Sequence, residues 1–196
     1  MPDTTWEQYD TGKVDGLAGG DRWYRYHERV FEREGAVLDL GCYQWDWSKK
    51  FVGEKEVVGV DPLEEKCPEG CKLIQAVVGI ADGTTVIYGA DSPLITSVFR
   101  RGGETRCVRM VSLDTLLKLT GKVALLKMNI EGSEFPLIMS MTEPVADQMA
   151  IAFHCRDRKE DPFSIRTMEA CIWYLMQWYE PILTDRQHWW WLFLRK

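Results

Sequence analysis

Five short runs govern what this chain can fold into: "AVLDLG" (36–41), "EVVGVDP" (56–62), "KLIQAVVGI" (72–80), "KVALLKMNI" (122–130) and "QMAIAFHC" (148–155). Each is nearly continuous in apolar residues instead of alternating, as strands must be when both faces of their sheet are covered. "TTVIYGA" (84–90) and "RCVRMVSL" (106–113), rich in β-branched residues, predict accessory strands. Helical signals fall between them. "DRWYRYHERVFERE" (21–34) offers Asp21 as a cap, with Trp23, Tyr26, Val30 and Phe31 near helical spacing. A polar and aromatic stretch extends to about Val52, and "SLDTLLKLTG" runs from a capping Ser112 to a closing Gly121. "SEFPLIMSM" (133–141) and "DPFSIRTMEACIWYLMQW" (161–178) complete the set.

Strands alternating with helices predict a parallel sheet with helices on both faces. The last two strands, "YEPILTD" (179–185) and "HWWWLFLRK" (188–196), leave no room for a crossover helix and must pair as a hairpin. The predicted fold is therefore α/β: a doubly wound, mostly parallel sheet with a C-terminal antiparallel hairpin over 180–196. The 196 residues suit one domain, with residues 1–20 as an irregular arm holding Gly12, Gly16, Gly19 and Gly20.

Composition excludes some functions. A formal charge of -6 argues against a surface that embraces nucleic acid. No apolar segment approaches the ~18 residues of a membrane span. The polar, acidic start "MPDTTWEQYD" lacks the pattern of a signal peptide. Six cysteines dispersed through a mid-sized chain read as reduced thiols of a cytoplasmic protein. Cys67 and Cys71 in "CPEGC" read as a turn built on Pro68 and Gly70; one such pair is too little for zinc.

In sheets of this kind ligands bind at the carboxyl ends of the strands. Asp39 and Gly41 lie at the first strand's end, and Asp61 lies twenty residues on, at the second strand's end. A carboxylate there can accept both hydroxyls of a ribose, which favours an adenosine-containing ligand. Asp82, after the third strand, is the remaining cofactor candidate. From Gly41 the chain reads G-C-Y-Q-W-D, one glycine where a dinucleotide needs three, which argues against NAD. S-adenosylmethionine has no phosphate to cradle, and its cationic groups tolerate an acidic site.

"VLDLG", "VVGVDP", "VSLDTLL" and "ALLKMNIEGSE", taken together, resemble the FkbM family of S-adenosylmethionine-dependent methyltransferases. The likeness runs from about Ala36 to His154, and the segment Lys127–Glu134 is its specific part. It implies a Rossmann-like methyltransferase fold, S-adenosylmethionine as cofactor, and methyl transfer to a hydroxyl of a small-molecule or carbohydrate-like acceptor. Two positions depart from the family pattern. Asn129 stands where Asp is usual, and Trp45 where a second glycine is common. Trp45 is expected, with Tyr43 and Trp47, to form a wall against the cofactor's edge; the alternative is that it fills the pocket.

Methyl transfer needs donor carbon and nucleophile held near contact, and a hydroxyl nucleophile must also lose its proton. Glu131 is the expected base or orienting group, with Asn129 beside it and His154 as the second candidate base. The structural alternatives are that Glu131 bonds amides of the next helix's first turn and that His154 is a satisfied rim residue. Glu134 reads as a helix cap, and Lys127 as serving structure or orientation. Asn129, Glu131 and His154 are compatible with a divalent cation, but one sure carboxylate is too little, so no metal is assigned. Arg100, Arg101, Arg106 and Arg109 read as a solvated face, or else as a rim for an anionic or glycan acceptor. The rival functions are a catalytically inactive relative working through protein contacts, motivated by Asn129 and Trp45, and a nucleotide-dependent oxidoreductase.

Overall fold

A seven-stranded sheet organises the chain. The structure, a computed structural model, describes residue 9 and residues 14–18, 24–91, 96–99, 103–155, 163–185 and 189–196. The main sheet consists of β3 (Ala36–Leu40), β4 (Val57–Val60), β5 (Cys71–Ile74), β9 (Val123–Met128), β10 (Gln148–Ala152), β11 (Tyr179–Asp185) and β12 (Trp190–Arg195). Its order is β11-β12-β10-β9-β3-β4-β5. Pairs among β3, β4, β5, β9 and β10 are parallel, whereas β12 runs antiparallel to both β10 and β11. The closing hairpin is thus as expected. The order reverses direction at β3, whose two neighbours lead to opposite edges, so the exits of β3 and β9 form a switch point.

Three helices and an aromatic layer cover the two faces. Helices α1 (Leu113–Thr120), α2 (Glu134–Ser140) and α3 (Ile165–Leu175) pack on one face, where Leu116, Ile138 and Ile172 meet Leu38, Leu126 and Ile151. Ser112 caps α1 through the Thr115 amide, and Ser164 forms a capping box with Thr167 on α3. The opposite face has no α-helix among the described residues. Two 3-10 turns, Tyr43–Trp45 and Ser48–Phe51, lie there instead, and Tyr24, Tyr26, Trp45, Trp47 and Phe51 cover Val37, Val57, Leu125 and Ala150. Among the described residues the expectation of helices on both faces is therefore corrected: large rings supply the second layer. Trp190 and Trp191 point to opposite layers, so the tryptophan run is core packing on both faces.

Two further expectations are corrected. Over 24–34 the chain forms β2 (Tyr26–His27), paired with β1 (Leu17–Ala18), and a 3-10 turn Glu28–Phe31, not a helix. Tyr24 and Tyr26 are both buried while Arg25 between them is half-buried, a period of two that outweighs the weaker helical spacing. Asp21 and Trp23 lie outside the described residues, as do Arg100 and Arg101. "KLIQAVVGI" is not one strand. It breaks at Gln75, ending β5, and resumes as β6 (Val77–Gly79) in a separate sheet of order β6-β8-β7. There β7 (Gly83–Tyr88) and β8 (Thr105–Ser112) form the expected accessory pair, with Arg106 and Arg109 on β8. All six cysteines are free. Among the described residues no helix is long and apolar enough to cross a membrane.

The aromatic layer is tightly fitted at Gly59, in the middle of β4. A Cβ there would lie 2.4 Å from the Trp45 ring and 2.6 Å from the Cys42 sulfur. Gly59→Ala is therefore expected to destabilise the protein by about 1–3 kcal/mol, measured as a lower urea midpoint with an unchanged slope.

Candidate active site

A cleft of about 740 Å³ opens where β3, β4 and β9 end, a volume within the range of small-molecule sites. Gly41, Asp61, Asn129 and Glu131 line it, together with Lys127 and Tyr24. Gly41 has φ +81°, and a Cβ on it would lie 2.0 Å from the Asn129 carbonyl oxygen. Only glycine allows the two strand exits to approach this closely.

Beneath Gly41 lies a buried ion pair. Lys127 Nζ is 2.8 Å from Asp39 Oδ1 and donates to the Gly41 carbonyl at 2.6 Å. The ammonium also sits 5.2 Å from the Tyr24 ring centroid. Asp39 and Lys127 are 1% and 4% exposed, so each charge depends on the other. Asp39 is absent from the cleft wall. The structure places this cofactor candidate one layer below the cleft, with its carboxylate facing Lys127.

Asp61 does reach the cleft while also capping its own turn. Its Oδ1 accepts the Leu63 and Glu64 amides at 2.8 and 3.0 Å. Burial pushes its carboxyl above the usual range despite those two bonds. Such a carboxylate gains from further donors, as a ribose diol would supply. Asp82 is elsewhere: its oxygens accept from the Ser112 amide at 2.8 Å and the Thr115 hydroxyl at 2.7 Å, at the start of α1. The Ser112 amide and the Thr115 hydroxyl hold its carboxyl below the usual range. The structure places this cofactor candidate at the start of α1, off the cleft lining.

Trp45 neither walls nor plugs the cleft. It is 2% exposed, packs against Gly59, and donates from its indole to the Lys66 carbonyl at 2.7 Å. Tyr43 and Trp47 do line the cleft, so two of the three expected wall residues are there. Gln44 and Trp45 both have positive φ (59° and 58°), the conformation in which glycine is easiest. Glu64 stabilises this turn: Oε2 accepts the Gln44 amide at 2.7 Å, while Oε1 accepts those of Glu65 and Lys66. Sequence reasoning missed Glu64. Only its proximity to Asp61 hinted at it.

On the far wall Glu131 is held at φ 53° in the loop between β9 and α2. His154 stands behind it, two residues past the end of β10. His154 Nε2 is 3.1 Å from Glu131 Oε1, and Nδ1 is 2.8 Å from Glu134 Oε1. Burial opposes charge on the imidazole, but the Glu134 and Glu131 carboxylates outweigh it and raise its pKa to about 10. His154, the second candidate base, stands behind the cleft wall and does not line the cleft. Glu134, fully buried, accepts the Ile130 and Gly132 amides at 2.8 and 2.7 Å, bracing the loop as well as opening the helix. Tyr24 also lines the cleft, and its hydroxyl stays protonated: burial, then Glu134, Asp39 and Glu131, push it well up. Among the described residues no cluster of His, Cys, Asp and Glu is arranged to hold a metal ion.

Removing one partner of the central pair tests how the site is supported. Lys127→Met is expected to cost about 3–5 kcal/mol in urea unfolding, because it leaves Asp39 charged and buried alone. The double variant Asp39→Asn with Lys127→Met should recover most of that loss.

No curated protein and no solved structure matches the chain. Residues 44–171 match the family model described as the Methyltransferase FkbM domain. That match takes in the Glu131 loop, Asp61 and His154, while Asp39, Gly41 and Tyr24 lie before it and Trp190 after it. The match spans more than half of the chain, which therefore belongs to the FkbM methyltransferase family.

Proposed function

We propose that this protein is an S-adenosylmethionine-dependent O-methyltransferase acting on a small-molecule or carbohydrate-like hydroxyl, on a Rossmann-like sheet. The convergence of Gly41, Asp61, Asn129 and Glu131 on one cleft at the switch point carries this reading. The residues fit the cofactor. Gly41 leaves backbone exposed at the strand exit, Asp61 offers an incompletely compensated carboxylate to a ribose, and Leu63 and Val77 supply apolar surface nearby. Six free thiols are consistent with a reducing, cytoplasmic setting.

When bound, S-adenosylmethionine supplies an electrophilic methyl carbon beside a cationic sulfur. Glu131 orients the acceptor hydroxyl and takes its proton as the new O–C bond forms. The Asn129 amide, at the adjoining strand exit, offers a neutral hydrogen-bonding group to the same region. Tyr24, Tyr43 and Trp47 give the cleft rings against which an acceptor's apolar face can lie.

Calorimetric titration tests the reading. S-adenosylmethionine and S-adenosylhomocysteine should bind at micromolar concentrations and NAD should not; no binding of either sulfur ligand would refute it. Asp61→Asn, which keeps an acceptor for the Leu63 and Glu64 amides, should weaken S-adenosylhomocysteine by about 1.5–3 kcal/mol. Incorporation of labelled methyl into a panel of hydroxylated acceptors should fall roughly 10²–10⁴-fold in Glu131→Gln, with S-adenosylhomocysteine affinity nearly unchanged. Equal losses in both would assign Glu131 a structural role.

A further inference from the structure

The loop that presents Glu131 is held in a conformation that costs a side-chain-bearing residue free energy. Its backbone is fixed from two directions. Ser97 Oγ donates to the Glu131 carbonyl at 2.7 Å, and Glu134 accepts the amides on either side of Glu131. The carboxylate itself is reached by His154, whose two ring nitrogens contact two different carboxylates. A carboxylate only accepts hydrogen bonds, so both nitrogens must carry protons for both contacts to form. Between two carboxylates this geometry fits an imidazolium, in line with the upward push on its pKa.

We propose that His154 is a positioning residue: a charged bridge that pins the Glu131 carboxylate to the buried Glu134 and acts on the acceptor only through Glu131. The effect on an acceptor rests on the methyltransferase reading above, whereas the bridge itself does not. The bridge explains why a histidine sits behind the cleft wall with no face on the cleft. On the methyltransferase reading, the acceptor's hydroxyl proton would pass to Glu131 as the acceptor oxygen takes the methyl group and the C–S bonding pair stays on sulfur, and would then be released to water.

Two neighbouring titratable groups bear on the bridge. Tyr24, on the N-terminal segment, and Cys171, on α3, both feel Glu134, and burial pushes both up, Cys171 to about 12. Both stay neutral. The sign of the pH dependence follows. The folded-state pKa of His154, about 10, lies above its ordinary 6.5. The stability it contributes is complete below pH 6.5 and is lost progressively as pH rises through about 10.

Nitrogen-15 NMR of histidine-labelled protein tests the bridge without any ligand. The chain has three histidines, so the His154 signals are assigned by their loss in His154→Gln. Both of its nitrogens should show the protonated signature from pH 6 to 9. In Glu131→Gln the titration should move about 1–3 pH units lower, with the Nε2 signal displaced most. A His154 bound only to Glu134 for structural reasons would not respond to Glu131→Gln, and that result would overturn the proposal. So would titration near 6.5 in the unaltered protein, a measurement that needs no variant to fold. In urea unfolding, the stability advantage of the unaltered protein over His154→Gln should shrink from pH 6 to 10; a constant advantage would count against the bridge. S-adenosylhomocysteine titration of the same samples separates the two readings. Absent binding with a protonated, coupled His154 defeats the methyltransferase assignment alone, and binding with a neutral His154 defeats the bridge alone.

Discussion

The Asp39–Lys127 ion pair is the contact on which the rest of the site depends. The two residues are register partners on adjacent strands, β3 and β9, at the centre of the sheet. Burying both charges costs several kcal/mol in desolvation, and a hydrophobic pair of the same size would be at least as stable. What the ionic pair adds is direction. The same ammonium that faces Asp39 donates to the Gly41 carbonyl, so it fixes the backbone just where β3 leaves the sheet. Gly41 is in turn pressed against Asn129, the first residue after β9. One cation thereby sets the spacing of two strand exits, and those exits form the floor of the cleft.

Above that floor, buried carboxylates take over the organising role that glycine-rich turns or helix starts serve in other sheets. Asp61 accepts two amides of its own turn. Glu64 accepts three, from two different loops, and so ties the turn after β3 to the turn after β4. Glu134 accepts two more in the Glu131 loop. A carboxylate with several amide donors is among the strongest polar anchors available to a loop. This explains how Gln44, Trp45 and Glu131 can hold left-handed conformations although none is glycine. The backbone cost is met by hydrogen bonds to charge, and the side chains at those positions become available for packing or chemistry.

Much of this was legible in the sequence, and the failures have a common cause. Continuous apolar runs marked β3, β4, β9 and β10 because strands buried on both faces need no alternation, and the hairpin followed from the short link before β12. Gly41, Asp61 and Glu131 could be placed on the cleft from strand ends alone. That Asp39 and Asp82 lie off the cleft lining was not legible, because a carboxylate's partner, a lysine on the neighbouring strand or the amide of a distant helix start, is fixed by tertiary register. The charge state of His154 was illegible for the same reason, since it is set by Glu131 and Glu134. Glu64 and Ser97 carry no motif at all. The aromatic layer was misread because rings near helical spacing look like a helix face until their burial shows otherwise.

Trp45 bears on whether the cleft can serve chemistry. In sequence it reads as a wall against the cofactor's edge, with obstruction as the alternative, since glycine is common at that position in the family. The left-handed turn directs its ring away from the cleft and into the layer against β4, where Gly59 leaves the space that a side chain would fill. Backbone conformation and side-chain bulk are thus separated: the turn keeps the path glycine would give it, and the indole fills core where the connection from β3 to β4 lacks an α-helix. Two substitutions motivated an inactive relative, and this one no longer does. The other, Asn129, removes a negative charge at the strand exit, but the adjoining loop already carries the Glu131 carboxylate, with a second carboxylate and a cation ordered behind it. An amide at that exit limits the net charge facing the cleft while keeping a hydrogen-bonding group in place. On the proposed reading, the charge comes from Glu131, two residues further on.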